Sequence, residues 1–165
     1  MSSAKNEINK SRRQQFVTFS MEGSLYGVDI LTVKEVSSDY NLTPIYHAPD
    51  TVKGYVNLRG EIYLILDLTV ALGFENSLEK KSKLIIFKNI VDDPFGIIVN
   101  TSGDVVSIEE DQFQKFNSSD TQNNLNTLHD KQIINGLFKT ENNLIISIDA
   151  YKILSILDEE GVEAK

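Results

Sequence analysis

Cysteine and tryptophan are absent from this 165-residue chain, and proline (3), methionine (2) and histidine (2) are scarce. Without cysteine there can be no disulfide, no thiolate metal site and no cysteine nucleophile, a composition compatible with a reducing cytoplasm. The two histidines do not cooperate: His47 lies in a loop close to Pro49 and His129 in a polar stretch, neither with a second histidine at ligand spacing, which argues against a histidine-built metal site. Long apolar runs are missing too. The longest, Ile62 to Leu66, falls far short of the roughly 20 residues a membrane-spanning helix needs, and any link to a membrane is expected to pass through a partner. Positive charge is in deficit: 16 Lys and Arg against 24 Asp and Glu give a net charge of −8, which repels a phosphate backbone and disfavours nucleic acid as a ligand. The Lys80-Lys81-Ser82-Lys83 cluster has no interleaved aromatics and reads as a solvated loop guarding the apolar strand behind it. Serine-elbow, phosphate-loop and dinucleotide-binding glycine motifs are all absent, and nothing in the chain calls for a cofactor.

What is present is an internal repeat. Tyr26-Gly27-Val28 is echoed 69 positions on by Phe95-Gly96-Ile97, and Gly54-Tyr55-Val56, with its polar turn, apolar run to Asp67 and Leu72, is echoed 82 positions on by Gly136-Leu137-Phe138, Asp149 and Leu154. The difference between the offsets lies in a longer polar connector in the second copy, Asn117 to Gln132, expected as surface loop. Its counterpart, Ser37 to Asp50, is held out of helix by Pro44 and Pro49. Short runs rich in Val, Ile, Leu, Phe and Tyr predict strands over 15–20, 25–36, 54–58, 61–66, 83–87, 95–99, 105–108, 137–139 and 143–148. With no long crossover helix between most of them, the pattern predicts a mainly β protein built as two small antiparallel barrels. A chain of this size is long enough for one core, burying about 70% of its unfolded surface. The polar residues 1–14 are expected as a tail, 15–157 as a single domain of two lobes, and 158–165 as an acidic tail.

Each copy ends in a short helix introduced by an aspartate, Asp67 or Asp149, whose side chain suits the unsatisfied N–H groups of a first turn. Catalysis by paired carboxylates, drawn from Asp29, Asp67, Asp104 and Asp149, is the competing reading, but Asp67 and Asp149 recur in one structural place and read as caps. Arg59, in Asn57-Leu58-Arg59-Gly60-Glu61, is the more informative charge. The second copy places Glu141 opposite it, so the hairpin turn does not need the arginine. Glu35, matched by Asp104 in the second copy, can pair with Arg59, and such an exposed pair contributes only about 0–1 kcal/mol. A recognition role for Arg59 therefore competes with a structural one.

The run Gly54-Tyr55-Val56-Asn57-Leu58-Arg59-Gly60-Glu61-Ile62, continuing to Asp67-Leu68, resembles the CheW family of chemotaxis coupling proteins. The resemblance extends over Gln15 to Phe19, Tyr26 to Val36, Pro44-Ile45, Phe95 to Val106 and Ile134 to Leu154, nearly the whole chain outside the tails. It implies two SH3-like five-stranded β-barrel subdomains with short helices, packed on a shared core, with strands possibly exchanged between the halves. It further implies a non-enzymatic adaptor that is monomeric when free. Such an adaptor has two partners, the cytoplasmic tip of a methyl-accepting chemoreceptor and the regulatory domain of the histidine kinase CheA, and no direct membrane contact. By motif position, Val33, Glu35, Lys53, Gly54, Asn57, Leu58, Arg59 and Gly60 fall on the receptor-facing groove and its support, with the glycines read as permitting close backbone approach. Ile97, Val99, Val105 and Val106 are the kinase-facing candidates.

Two departures from the family pattern stand out: Tyr63-Leu64 where a proline often follows the hairpin, and a longer, more polar segment around Asn123 to Asn126. The eight residues after Leu157 leave no room for a receiver or kinase module, which favours a standalone adaptor. The competing readings are the same fold serving pilus motility or developmental signalling, a hydrolase using scattered carboxylates, and a nucleic-acid-binding barrel.

Overall fold

Two strands, β7 (Lys83–Phe87) and β8 (Phe95–Val99), are apolar at nearly every position, without the alternation of a half-exposed sheet. That pattern requires burial on both faces, and the computed structural model, which describes residues 13–74, 82–89, 93–115 and 133–159, shows how it arises. Leu84, Ile86 and Ile98 point into one core with Val56, Tyr63 and Ile65, while Ile85, Phe87, Phe95, Ile97 and Val99 point the other way into a second.

The chain folds into two six-stranded sheets. The first runs β3 (Val33–Ser37), β7, β8, β6 (Glu61–Asp67), β5 (Val52–Leu58), β4 (Leu42–Thr43). In the second the order is β9 (Thr101–Glu109), β1 (Arg13–Met21), β2 (Ser24–Asp29), β12 (Leu144–Ile148), β11 (Ile134–Lys139), β10 (Phe113–Lys115). The two orders match strand for strand, so the repeat is structural. Each sheet has five strands of five residues or more plus a short sixth, β4 or β10, one strand beyond expectation. Two or three residues carry no readable alternation, which is why the sequence does not announce them.

Strands are exchanged between the copies. The lobe built on β3 to β6 takes the β7–β8 hairpin from the second copy, and the lobe built on β9 to β12 takes β1–β2 from the first. Each borrowed hairpin docks through a parallel pair, β6 with β8 and β12 with β2, rather than the all-antiparallel pairing expected. The registers are equivalent: Gly96 sits opposite Ile65 and Gly27 opposite Ser147, partners 69 and 82 positions apart.

Each lobe buries a small core of its own, Val56, Tyr63, Ile65, Leu84, Ile86 and Ile98 in the first, Phe16, Ile108, Phe138 and Ile145 in the second. A flat sheet cannot enclose one of its own faces, so both curl into SH3-like barrels. Between them lies a larger shared core, with Val17, Phe19, Tyr26 and Val28 meeting Leu66, Ile85, Phe87, Phe95 and Ile97. The helices α1 (Leu68–Ala71) and α2 (Ala150–Glu159) join it through Leu68, Ala71, Ala150 and Ile153.

The strand expected over 25–36 is broken. Asp29 Oδ1 accepts from the Leu31 N–H at 2.9 Å and the Thr32 hydroxyl donates to the Asp29 carbonyl, folding residues 30–32 into one 3-10 turn. β1 begins at Arg13, inside the stretch read as a tail. The loop 117–132 with His129, Lys80 and Lys81, the segment 123–126 and most of both tails lie outside the described residues.

Candidate functional site

The hairpin joining β5 to β6 turns in two residues, Arg59 (φ 55°) and Gly60 (φ 85°), both left-handed. This is the conformation of a type I′ turn, whose twist matches that of its flanking strands. Glycine adopts it freely and arginine does not, so the turn is braced: Asn57 Oδ1 accepts the Gly60 N–H at 3.0 Å. The hairpin of the second copy is different, with four residues between β11 and β12 closed by Thr140 and Asn143. Glu141, opposite Arg59 by sequence offset, therefore occupies a wider loop.

At the tip the Arg59 side chain is 84% exposed, and its Nη1 lies 3.2 Å from Glu35 Oε2. The β3–β7 register slips between Val33 and Glu35. The extra residue is Lys34, and the irregularity lets two consecutive side chains reach the same hairpin. Glu35 meets Arg59, while Lys34 Nζ lies 3.3 Å from Glu61 Oε2 and donates to the Tyr63 hydroxyl at 2.7 Å. Tyr63 in turn donates to Glu61 Oε2 at 2.7 Å, and Asn89 Nδ2 donates to Glu61 Oε1 at 2.7 Å. Glu61 is thereby held at a pKa of about 2, by the Tyr63 hydrogen bond first, then by Asn89 and Lys34. The same contacts raise Lys34, Tyr63 foremost, and burial raises Tyr63.

On the outer face of this hairpin, Tyr55 pairs with Leu64 and Asn57 with Ile62, which makes Tyr55 and Ile62 diagonal neighbours. Both are exposed. The tip thus offers a cationic fork beside an apolar pair.

The remaining expected site residues separate by environment. Val33 packs on the shared core and Leu58 on the first lobe's own core. Lys53 Nζ lies 3.4 Å from Asp67 Oδ2. Gly54 is buried, and the backbone approach it permits is to its own chain: a Cβ there would stand 2.1 Å from the Thr43 carbonyl oxygen. Gly136 admits β10 in the same way, its Cβ position lying 2.2 Å from the Phe113 ring. The reading of Gly54 as a point of partner approach is corrected accordingly. Ile97 and Val99 are corrected too: both are fully buried in the shared core and present nothing to a partner while the fold is intact. Val105 is 51% exposed on β9, and Val106 is half-buried against the second lobe's core.

Asp67 Oδ1 accepts from the Thr69 and Val70 N–H groups, and Asp149 Oδ1 from that of Tyr151. Both carboxylates therefore spend one oxygen on a helix terminus. Among the described residues no group of three or more His, Cys, Asp or Glu could hold a metal, and no helix is long and apolar enough to cross a membrane.

Sequence reasoning missed Lys34, Tyr63 and Asn89. The spacing of Glu61 and Tyr63 places them on one face of a strand, a readable signal, but their partners lie 27 or more positions away from Glu61.

A family model described as the CheW-like domain matches residues 15–158. The chain is 34% identical over 101 residues to the chemotaxis protein CheW of Klebsiella aerogenes, an alignment spanning 61% of each protein. With the chemotaxis protein CheW of Thermotoga maritima it shares 30% identity over 149 residues, covering 90% of this chain and 93% of that one. The crystal structure of the scaffolding protein TtCheW from Thermoanaerobacter tengcongensis superposes with a TM-score of 0.72 at 29% identity, covering 86% of this chain and 92% of the other. The two-lobed fold, the Asn-Leu-Arg-Gly hairpin and these matches agree: the chain belongs to the CheW family of chemotaxis scaffolding proteins.

Proposed function

We propose that this protein is a non-enzymatic adaptor that couples methyl-accepting chemoreceptors to the histidine kinase CheA. One surface, centred on the β5–β6 tip, takes the cytoplasmic signalling tip of the receptor. A second surface, for which exposed Val105 is the remaining candidate, takes the kinase regulatory domain. The observation that carries the receptor-facing half is the braced turn that projects Arg59 into solvent beside Tyr55 and Ile62. An arginine fork with adjoining apolar surface fits one face of an amphipathic helical hairpin. Glu35 belongs to the same surface as the internal partner of Arg59; Val33, Leu58, Asn57 and Gly60 support it. The protein works in the cytoplasm as a single domain over 15–157, and it reaches membrane-bound arrays through its partners rather than through the bilayer.

The test is calorimetric titration against a receptor signalling-tip fragment and the kinase regulatory domain from the same organism. The unsubstituted protein is expected to bind both. Arg59→Glu is expected to fold normally, since it loses an exposed ion pair worth about 0–1 kcal/mol and gains only a solvent-screened like-charge contact with Glu35, and to weaken binding of the receptor fragment. Binding to neither at tens of micromolar would overturn the proposal.

A further inference from the structure

We infer that the Tyr63 hydroxyl, with Glu61, Lys34 and Asn89, forms a clasp at the mouth of the first barrel that positions Arg59 for its partner. The inference rests on the adaptor reading for the identity of that partner. The clasp is itself a matter of geometry.

Three separate parts of the chain converge on one carboxylate. Tyr63 donates from β6 to Glu61 Oε2 at 2.7 Å, Lys34 lies 3.3 Å from the same oxygen from β3, and Asn89 donates to Oε1 at 2.7 Å from the segment after β7. Tyr63 is anchored below, its ring 2% exposed within the first lobe's own core. Its hydroxyl reaches the polar cluster, where it accepts from Lys34 as it donates to Glu61, and Lys34 Nζ also lies over its ring, 5.4 Å from the centroid. The carboxylate they hold belongs to the residue immediately after Gly60, so the clasp grips the outgoing arm of the turn while Asn57 grips the incoming one.

Such a clasp has work to do here. A two-residue turn with both residues left-handed is easy for Asn-Gly and hard for Arg-Gly. Left to its local preferences, the Arg59 position would sample other backbone conformations, and a partner would have to order it on binding. The Lys34 irregularity in β3 is what delivers both Lys34 and Glu35 to the hairpin, one to the clasp and one to Arg59. The inner pair fixes the backbone, and the outer pair parks the side chain in a place a partner can take over. A surface already in its bound shape binds more tightly because less freedom is lost.

Tyr63→Phe removes only the hydroxyl and keeps the ring in the core. Amide hydrogen exchange by NMR is expected to quicken about tenfold at Gly60 and to stay unchanged at Asn143, the matching hairpin of the other lobe. Affinity for the receptor-tip fragment is expected to fall about fivefold to tenfold, and with Glu61→Gln, which loses the charge and turns one of the two accepting oxygens into a donor, to fall at least as far. Unchanged exchange at Gly60, or equal acceleration at Gly60 and Asn143, overturns the clasp. Faster exchange at Gly60 with undiminished affinity overturns the positioning role and leaves the adaptor reading standing. Failure of the unsubstituted protein to bind the fragment overturns the adaptor reading and the binding half of the inference together, and the exchange ratio then still decides the clasp.

Discussion

Replacing Lys53 by methionine is expected to cost about 2–3 kcal/mol of folding stability, because its charge acts inside the protein, on Asp67, rather than at the surface. Asp67 is fully buried, and its two oxygens have different fates. Oδ1 accepts two N–H groups of α1, whereas among the described residues Oδ2 accepts no hydrogen bond and has only the Lys53 ammonium, 3.4 Å away, to balance its charge. Breaking a buried pair by removing one member costs about 3–5 kcal/mol; the estimate here is lower because the Lys53 side chain keeps 21% of its exposure and Asp67 keeps its helix contacts. Methionine preserves the aliphatic stem, so the charge is tested and packing is not. The internal repeat supplies the converse experiment. Asn135 stands 82 positions after Lys53; among the described residues its buried Oδ1 has no hydrogen-bond partner and Asp149 has no ion pair. Asn135→Lys is therefore expected to stabilise by about 0.5–1 kcal/mol. Urea denaturation measures both, and thermal midpoints should move by about 2–4 °C per kcal/mol. If Lys53→Met shifts stability by less than about 0.5 kcal/mol, within the range of ordinary surface substitutions, the assignment of Lys53 as the counter-charge of Asp67 is wrong.

Two further outcomes follow from the same hairpin. Gly54→Ala combines a backbone angle of +144° with a Cβ 2.1 Å from the Thr43 carbonyl oxygen, so β4 must move; a loss of about 3–4 kcal/mol is expected in urea, and a well-folded variant that merely loses partner binding would contradict the placement of Gly54. Glu61, lowered from 4.5 to about 2, contributes stability that is full above its unfolded value near 4.5 and is lost as pH falls through about 2. An NMR titration of its side-chain carbon should show that low midpoint, and Tyr63→Phe should raise it; a midpoint near 4.5 in the unsubstituted protein would refute the contacts drawn around it.

Much of the fold was legible because each strand answers to a local period and the two copies check one another. The turn at Arg59-Gly60 and the aspartate before each helix are local chemistry of the same kind. Strand exchange is not local. Nothing within 83–99 says whether that hairpin pairs with β6 or with β12, because a strand buried on both faces is equally apolar in either place. The burial of Ile97 and Val99 follows from this exchange, and reading them as surface residues failed for that reason. The sequence reads Gly54 as a point of approach for a partner, whereas the backbone that approaches it is that of β4, whose two residues are too few to carry a readable period. The clasp was illegible because it joins positions 34, 61, 63 and 89, which only the curl of the barrel brings together.

The exchange also bears on how an adaptor could use two surfaces. With β7–β8 completing one barrel and β1–β2 the other, neither lobe can detach without breaking the parallel ladders β6–β8 or β12–β2 and opening the shared core. A borrowed hairpin contributes one face to its host lobe's own core and the other to the common one, so the lobes share rigid elements instead of meeting at a sliding interface. Relative motion of domains is the default where an interface is small and polar; here the interface is apolar and runs through the middle of both sheets. The Arg59 tip of one barrel and strand β9 of the other are consequently held at a fixed separation and angle. For a scaffolding protein of this family, that fixed geometry is itself a contribution, because two sites on one rigid body keep whatever binds them in a set relation.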